Sequence, residues 1–250
     1  MTILTALLNK SLSEADIEVI VVESNSTDGS REKVLQFAAH PRVRVVLEDA
    51  PRGKGHAVRN GLASARGDII LLQDADLEYD LDDYSELLRP ILAGETSFVL
   101  GTRHSAVGNP MRHFADAKAL AGFCNFGHRM LTGLINLLYR QNLTDPFTMY
   151  KVFRRDCISG LEFECNRFDF DCELVCKLLR LGYQPVEIPV KYNSRSFTEG
   201  KKVRIFRDPP TWIRAILKYR IAPLFPPSRA SAHGTLLRQE PETPEAGHAD

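Results

Sequence analysis

The amino-acid sequence predicts an α/β fold built on a largely parallel sheet. Three observations carry this. Short β-branched runs alternate with helix-like segments over the first hundred residues, and these runs lead into clusters of Ser, Asn, Asp or Gly. The composition, 44% hydrophobic and 26% charged in 250 residues, suits an ordinary globular chain.

The elements follow in order. Residues 17–22 form a buried strand bounded by Asp16 and by the polar cluster 24–30. Residues 31–39 read as a helix, 43–47 as a strand, and 56–65 as a helix entered through Gly53 and Gly55 and closed by Gly67. A buried strand at 69–72, a helix at 81–92 with Pro90 near its end, and a strand at 97–100 complete the alternation. Residues 113–138 carry apolar side chains at helical spacing, and Phe153 opens a less regular stretch. A helix at 171–181 is capped by Gly182, and the run 186–192 contains Pro189, which places it at a sheet edge or a bulge. From Pro226 the chain is rich in Pro, Ser, Ala, Gly and Glu, so residues 1–225 are expected to form the domain and 226–250 a disordered tail.

The net charge is zero, and no RNA-binding signature is present, which argues against a nucleic-acid partner. Charge is nonetheless uneven: residues 191–220 hold nine Lys and Arg against two acids. There Phe206, Trp212, Ile213, Ile216 and Leu217 interleave with Arg204, Arg207, Arg214, Lys218 and Arg220. Such a segment suits either an interfacial helix on an anionic membrane surface or an amphipathic helix packed on the sheet. Five cysteines without a C-x-x-C pair fit neither a disulfide framework nor a zinc ribbon. Cys172 and Cys176 read as buried free thiols, and a reducing compartment is expected. Neither a signal segment nor a membrane span is expected; the most apolar stretch, 119–138, is broken by Asn125, His128, Arg129 and Asn136. The expected location is cytoplasmic, with a peripheral place on the cytosolic face of a membrane open to it.

Asp74 and Asp76 follow the apolar strand directly, with Glu78 two residues on. If the extended conformation continued, all three would face one side. Carboxylates gathered at a strand end repel unless a cation lies between them, and oxygen donors favour Mg²⁺ or Mn²⁺ bridging to a diphosphate. The alternative is a solvated acidic turn or a helix cap. Glu23, Asn25 and Asp28 lie at the carboxyl end of the first strand, where open sheets present ligands, and suit a base edge or ribose hydroxyls. Asp28-Gly29 also suits a plain turn. Lys54, between Gly53 and Gly55, could supply a cation to a phosphate.

Taken together, Val-Val-Glu-Ser-Asn-Ser-Thr-Asp-Gly-Ser (21–30), Arg-Gly-Lys-Gly-His-Ala (52–57) and Gly-Asp-Ile-Ile-Leu-Leu-Gln-Asp-Ala-Asp-Leu-Glu-Tyr-Asp (67–80) resemble the family 2 glycosyltransferases of GT-A fold. The resemblance is to the branch related to dolichol-phosphate mannose synthases. Four later segments extend it: Gly-Thr-Arg (101–103), Leu-Thr-Asp-Pro-Phe-Thr-Met-Tyr-Lys (143–151), Phe-Asp-Phe-Asp-Cys-Glu (168–173) and Tyr-Asn-Ser-Arg-Ser-Phe-Thr-Glu-Gly-Lys-Lys-Val (192–203). It implies a Rossmann-like mixed sheet with helices on both faces. Asp74 and Asp76 match the metal-binding pair, and Glu78 matches a third position able to reach the metal. Glu23 and Ser24 stand where the family usually has two aspartates near the nucleoside. Arg103 matches an arginine that holds the acceptor phosphate, and Arg195, Lys201 and Lys202 match a basic loop that closes on phosphates. Asp145 and Glu173 align with acidic positions on the acceptor side.

The implied activity is inverting transfer of a hexose from a nucleotide-sugar donor, of GDP-mannose or UDP-glucose type, to a polyprenyl or dolichyl phosphate. An ionised phosphate needs no general base, whereas a saccharide hydroxyl would need Asp171 or Glu173. A glycan acceptor, or a degenerate nucleotide-sugar-binding module, are the other readings. One departure stands out: the family's first, internal strand is missing, and residues 1–12 read as the helix that would follow it. A truncated or misplaced start is therefore expected, with unpaired backbone on the neighbouring strands.

Overall fold

The structure, a computed structural model, describes residues 2–10, 12, 15–104, 118–193 and 208–225. In chain order the elements are α1 (Thr2–Asn9), β1 (Val19–Glu23), α2 (Ser30–Leu35), β2 (Val43–Leu47), α3 (Lys54–Ser64), β3 (Ile69–Leu71), α4 (Tyr84–Leu92), β4 (Phe98–Thr102), α5 (Lys118–Tyr139), β5 (Lys151–Arg154), α6 (Phe170–Arg180), β6 (Val186–Pro189) and α7 (Asp208–Ile221). The expected tail, the start of the helix expected from His113, and Arg195, Lys201 and Lys202 lie outside the described residues.

The strands form two sheets rather than one. β1 and β2 pair in parallel, with Val19 opposite Val43 and Glu23 opposite Leu47. The other sheet has the order β3-β5-β4-β6, with β5 antiparallel to both neighbours and β4 parallel to β6. Among the described residues β1 and β3 each have one paired edge, and no internal strand joins the sheets, as the departure from the family pattern leads one to expect. The sheet is thus more mixed than the alternation predicted, because β5 was not legible as a strand. Pro189 lies in β6 at the edge of its sheet, where its missing N–H is tolerated.

The core is built from the four-stranded sheet, from α4 packed against β4, β5 and β6, and from α5, α6 and α7, which pack on one another. Leu87, Phe98, Val99, Leu100, Val152 and Phe153 are wholly buried in it, as are Phe170, Leu174, Leu178 and Ile216. Every residue of α6 from Phe170 to Leu179 is buried, which marks it as the central helix of its layer. Asp171, Glu173 and Lys177 are buried with it, so each must find a partner inside the protein. Cys157, Cys172 and Cys176 are buried free thiols, and burial pushes the Cys176 thiol up to about 12, which makes it inert. Among the described residues no helix is long and apolar enough to cross a membrane.

Candidate active site

The acidic segment starts where β3 ends. Leu72 still bonds to the Lys151 carbonyl at 3.1 Å, but the chain then turns at Ala75 and Asp76, and Leu77 takes a left-handed φ of 62°. A leucine in that region is a strained outlier of the sort that gathers at functional sites. The turn overturns the expectation of one continuous row of acids. Asp76 Oδ1 accepts the Glu78 N–H at 3.2 Å, while Glu78 swings away and accepts the Tyr192 hydroxyl at 3.0 Å. Among the described residues no three His, Cys, Asp or Glu form a ready-made metal cage. What stands at the carboxyl end of β3 is Asp74 and Asp76, with Glu78 tied to Tyr192.

A lysine faces Asp74. Lys54, the first residue of α3, places Nζ 3.1 Å from Asp171 Oδ2 and 3.7 Å from Asp74 Oδ2, and Lys151 Nζ, wholly buried, meets Asp171 Oδ1 at 2.9 Å. Burial works to lower the Lys54 pKa, but Asp171 and Asp74 outweigh it and hold the ammonium charged. Gly53 and Gly55 serve packing rather than phosphate approach. A Cβ on Gly55 would lie 2.5 Å from the Cys165 carbonyl oxygen and 2.7 Å from Phe170 Cβ, and the His56 N–H donates to the Asn166 carbonyl at 3.2 Å. Gly55→Ala is therefore expected to cost about 1–3 kcal/mol in urea unfolding, because backbone and a buried ring must move. An unchanged midpoint would contradict that close approach.

The loop after β1 is braced from within. Glu23, almost fully buried, accepts the Ser26 N–H at 2.7 Å, the Asn25 N–H at 3.2 Å and Arg31 Nε at 2.5 Å, so it shapes the loop instead of facing a nucleoside. Ser24 Oγ donates to Glu48 at 2.5 Å, and Glu48, buried at the end of β2, also binds His56 and the Asn60 side chain. Burial raises the Glu48 pKa, yet Ser24 and His56 bring it below its ordinary value. Sequence reasoning missed Glu48 and His56; an acid directly after β2, matching the one that ends β1, was the available signal. Asp28 accepts the Ser30 N–H at 3.0 Å and so forms the turn into α2, while Asn25 is exposed with a φ of 58°. Of the four candidates in this loop, Asn25 and Asp28 stand exposed and Glu23 and Ser24 are spent on bracing.

On the other side Arg103, just past β4, grips Asp145 with Nε at 2.7 Å from Oδ2 and Nη2 at 2.8 Å from Oδ1. Glu187 anchors the Asp145 N–H at 2.8 Å, His128 on α5 comes within 3.6 Å of the carboxylate, and the guanidinium lies over the Tyr192 ring at 5.2 Å. Tyr192 thus joins the Asp76 turn, through Glu78, to the Arg103–Asp145 pair. Glu173 is not part of this arrangement. It is wholly buried and accepts the Glu164 and Cys165 N–H groups at 3.1 and 2.8 Å and Lys177 Nζ at 2.6 Å, so it fastens the segment that Gly55 packs against. A cavity of about 690 Å³ opens beside the turn, walled by Lys10, Glu78, Asp80, Asp82 and Lys191, but Lys54, Asp74 and Arg103 do not line it.

Burial alone would raise the pKa of Asp145 and of Asp171. Arg103 at the first, Lys151 and Lys54 at the second, outweigh it, and both carboxyls titrate below the ordinary 3.8. The unfolded chain then binds more protons, so the stabilisation is complete above about pH 4 and is lost as pH falls through 3.8 toward the folded values. In urea unfolding from about pH 6 down to about pH 3, the midpoint is expected to drop below about pH 4, and Asp145→Asn to flatten that drop. An equally steep drop in the variant would remove Asp145 from this role.

Comparison with known proteins places the chain in a family and a fold. The sequence model described as glycosyl transferase family 2 matches residues 2–161. Glycosyltransferase AglD of Haloferax volcanii is 30% identical over 194 residues, which cover 76% of this chain and 29% of AglD. Dolichyl-phosphate beta-glucosyltransferase ALG5C of Trichomonas vaginalis is 30% identical over 183 residues, 70% of this chain and 52% of the relative. The chain therefore spans about half or less of the length of these two relatives. A crystal structure of glucosyl-3-phosphoglycerate synthase from Mycobacterium tuberculosis, in complex with Mn²⁺, UDP and phosphoglyceric acid, superposes with a TM-score of 0.59 at 19% identity. It covers 82% of this chain and 68% of that one, a likeness of fold.

Proposed function

The chain belongs to glycosyl transferase family 2, and from that premise we propose that it moves a hexose, with inversion, from a nucleotide sugar to a polyprenyl phosphate. The observation that carries the reading is Asp74 just past the carboxyl end of β3, 3.7 Å from the Lys54 ammonium, with Asp76 two residues on in the turn. Two carboxylates suit Mg²⁺ or Mn²⁺, hard cations that take one or two protein carboxylates and complete their shell from phosphate oxygens and water. Once bound between Asp74 and Asp76, such an ion would neutralise charge on the departing diphosphate. Lys54 adds a fixed positive charge on the same side, held in place by Asp171. The name of the dolichyl-phosphate relative supports the acceptor class, and the structural relative, alike in fold, holds Mn²⁺ and UDP.

The state of the acceptor-side acids favours a phosphate nucleophile. Asp145 is locked to Arg103, Asp171 lies between two lysines, and both have a lowered affinity for protons, which makes them weak bases. Glu173 is enclosed. An acceptor that is already ionised needs none of them, and on this reading Arg103 would orient it. The test is to incubate the protein with radiolabelled GDP-mannose or UDP-glucose, polyprenyl phosphate and Mn²⁺ or Mg²⁺, then extract with organic solvent. Metal-dependent label in the organic phase is expected. Label confined to water-soluble glycan, or donor binding without turnover, would overturn the reading.

A further inference from the structure

Two neighbouring helices leave an unusual surface uncovered. On α5, Phe123, Phe126, Met130 and Leu137 fall on one helical face, and their exposure reaches 62% at Phe126 and 77% at Leu137. On α7, Ile213, Leu217 and Ile221 repeat every four residues and are likewise exposed, Ile221 to 82%. The helices are tied together: Tyr139 Oη donates to the Ile216 carbonyl at 2.7 Å, and Arg220 Nε to the Leu138 carbonyl at 2.8 Å. Seven large apolar side chains on joined helices exceed the scattered exposure of an ordinary surface.

The charges among them have one sign. Arg129, Arg140, Arg214, Lys218 and Arg220 are exposed on or beside these faces. α5 contains no Asp or Glu, and the one acid of α7, Asp208, is buried and paired with Arg167. Lys218 also reaches Glu164 at 2.6 Å. A second copy of the chain docked face to face would set cation against cation across the two-fold axis. An anionic bilayer offers both an apolar interior and the opposite charge.

We propose that the exposed faces of α5 and α7 form a platform that lies on an anionic lipid surface, the apolar side chains dipping among the acyl chains and the arginines meeting the headgroups. The same α5 carries His128, 3.6 Å from Asp145, on its buried face, so one helix bears the platform on its outer side and borders the Arg103–Asp145 pair on its inner side. The evidence for the platform and its test are independent of the acceptor reading above.

The test uses the full chain and vesicles of phosphatidylcholine with or without phosphatidylglycerol, with no donor and no polyprenyl phosphate, read by co-sedimentation. Binding to the anionic vesicles that weakens with salt is expected. It should fall about tenfold in the pair Phe123→Glu and Phe126→Glu, and again in Leu217→Glu with Ile221→Glu, while circular dichroism and the urea midpoint stay unchanged. Arg129→Gln with Arg214→Gln, which leaves the apolar face intact, should also weaken binding about tenfold. No binding by the wild type, equal binding to neutral vesicles, or variants that bind like wild type would overturn the proposal. So would a dimer in velocity sedimentation that Phe126→Glu dissociates in a chain that ignores vesicles.

Discussion

Asp76→Asn is expected to lower sugar transfer by about 10²–10³-fold while leaving the fold intact. The substitution separates the turn-forming bond of this side chain from the charge that the proposed metal site needs. Its Oδ1 accepts the Glu78 N–H and so sets the turn, and an asparagine carbonyl oxygen in the same place accepts that bond equally well. The negative charge is what disappears. On the proposed reading Asp74 would then stand without its neighbour, and a divalent ion would lose one of the two protein carboxylates that would hold it beside the leaving diphosphate. Steady-state rates at saturating donor, read beside the urea midpoint, check this. Equal rates in wild type and variant would show that Asp76 is a turn residue and nothing more.

The second large effect is on stability. Asp145→Ala is expected to cost about 3–5 kcal/mol in urea unfolding, because it strands the Arg103 guanidinium, itself almost fully buried, without its carboxylate. Removing both partners is a different matter. Arg103→Met with Asp145→Leu replaces a buried ion pair by apolar volume, which is often close to neutral, so most of the lost stability should return. Turnover should not return, since nothing is left to orient an acceptor phosphate. If the double variant recovered transfer as well as stability, Arg103 would be a framework residue only.

Much of the fold was legible because local and tertiary signals agree. The runs at β1, β2, β3 and β4 are mostly apolar and lie between polar segments, and their ends come within two residues of expectation. β5 was hidden because only Val152 and Phe153 are apolar in it, between Lys151 and Arg154; a lysine at a wholly buried strand position is intelligible only through Asp171, twenty residues further on. The candidate site was legible as a list and less so as an arrangement. Period-two reasoning put Asp74, Asp76 and Glu78 on one side, and the left-handed Leu77 is what breaks the period. Glu23, by its place at a strand end, and Glu173, by the resemblance, read as site acids, yet both are consumed by backbone N–H groups and a cation. Gly53 and Gly55 looked like a phosphate loop; the neighbour they admit is residues 165–167, which no sequence spacing reveals.

The central claim is that a divalent cation and Lys54 together hold a diphosphate at the end of β3. Calorimetric titration of UDP and of GDP, each with Mn²⁺ and again with EDTA, addresses it most directly. Affinity for at least one of the two is expected to rise at least about tenfold with the metal in the wild type, and to lose that gain in Asp76→Asn. The same affinity for both nucleotides with and without metal would contradict it.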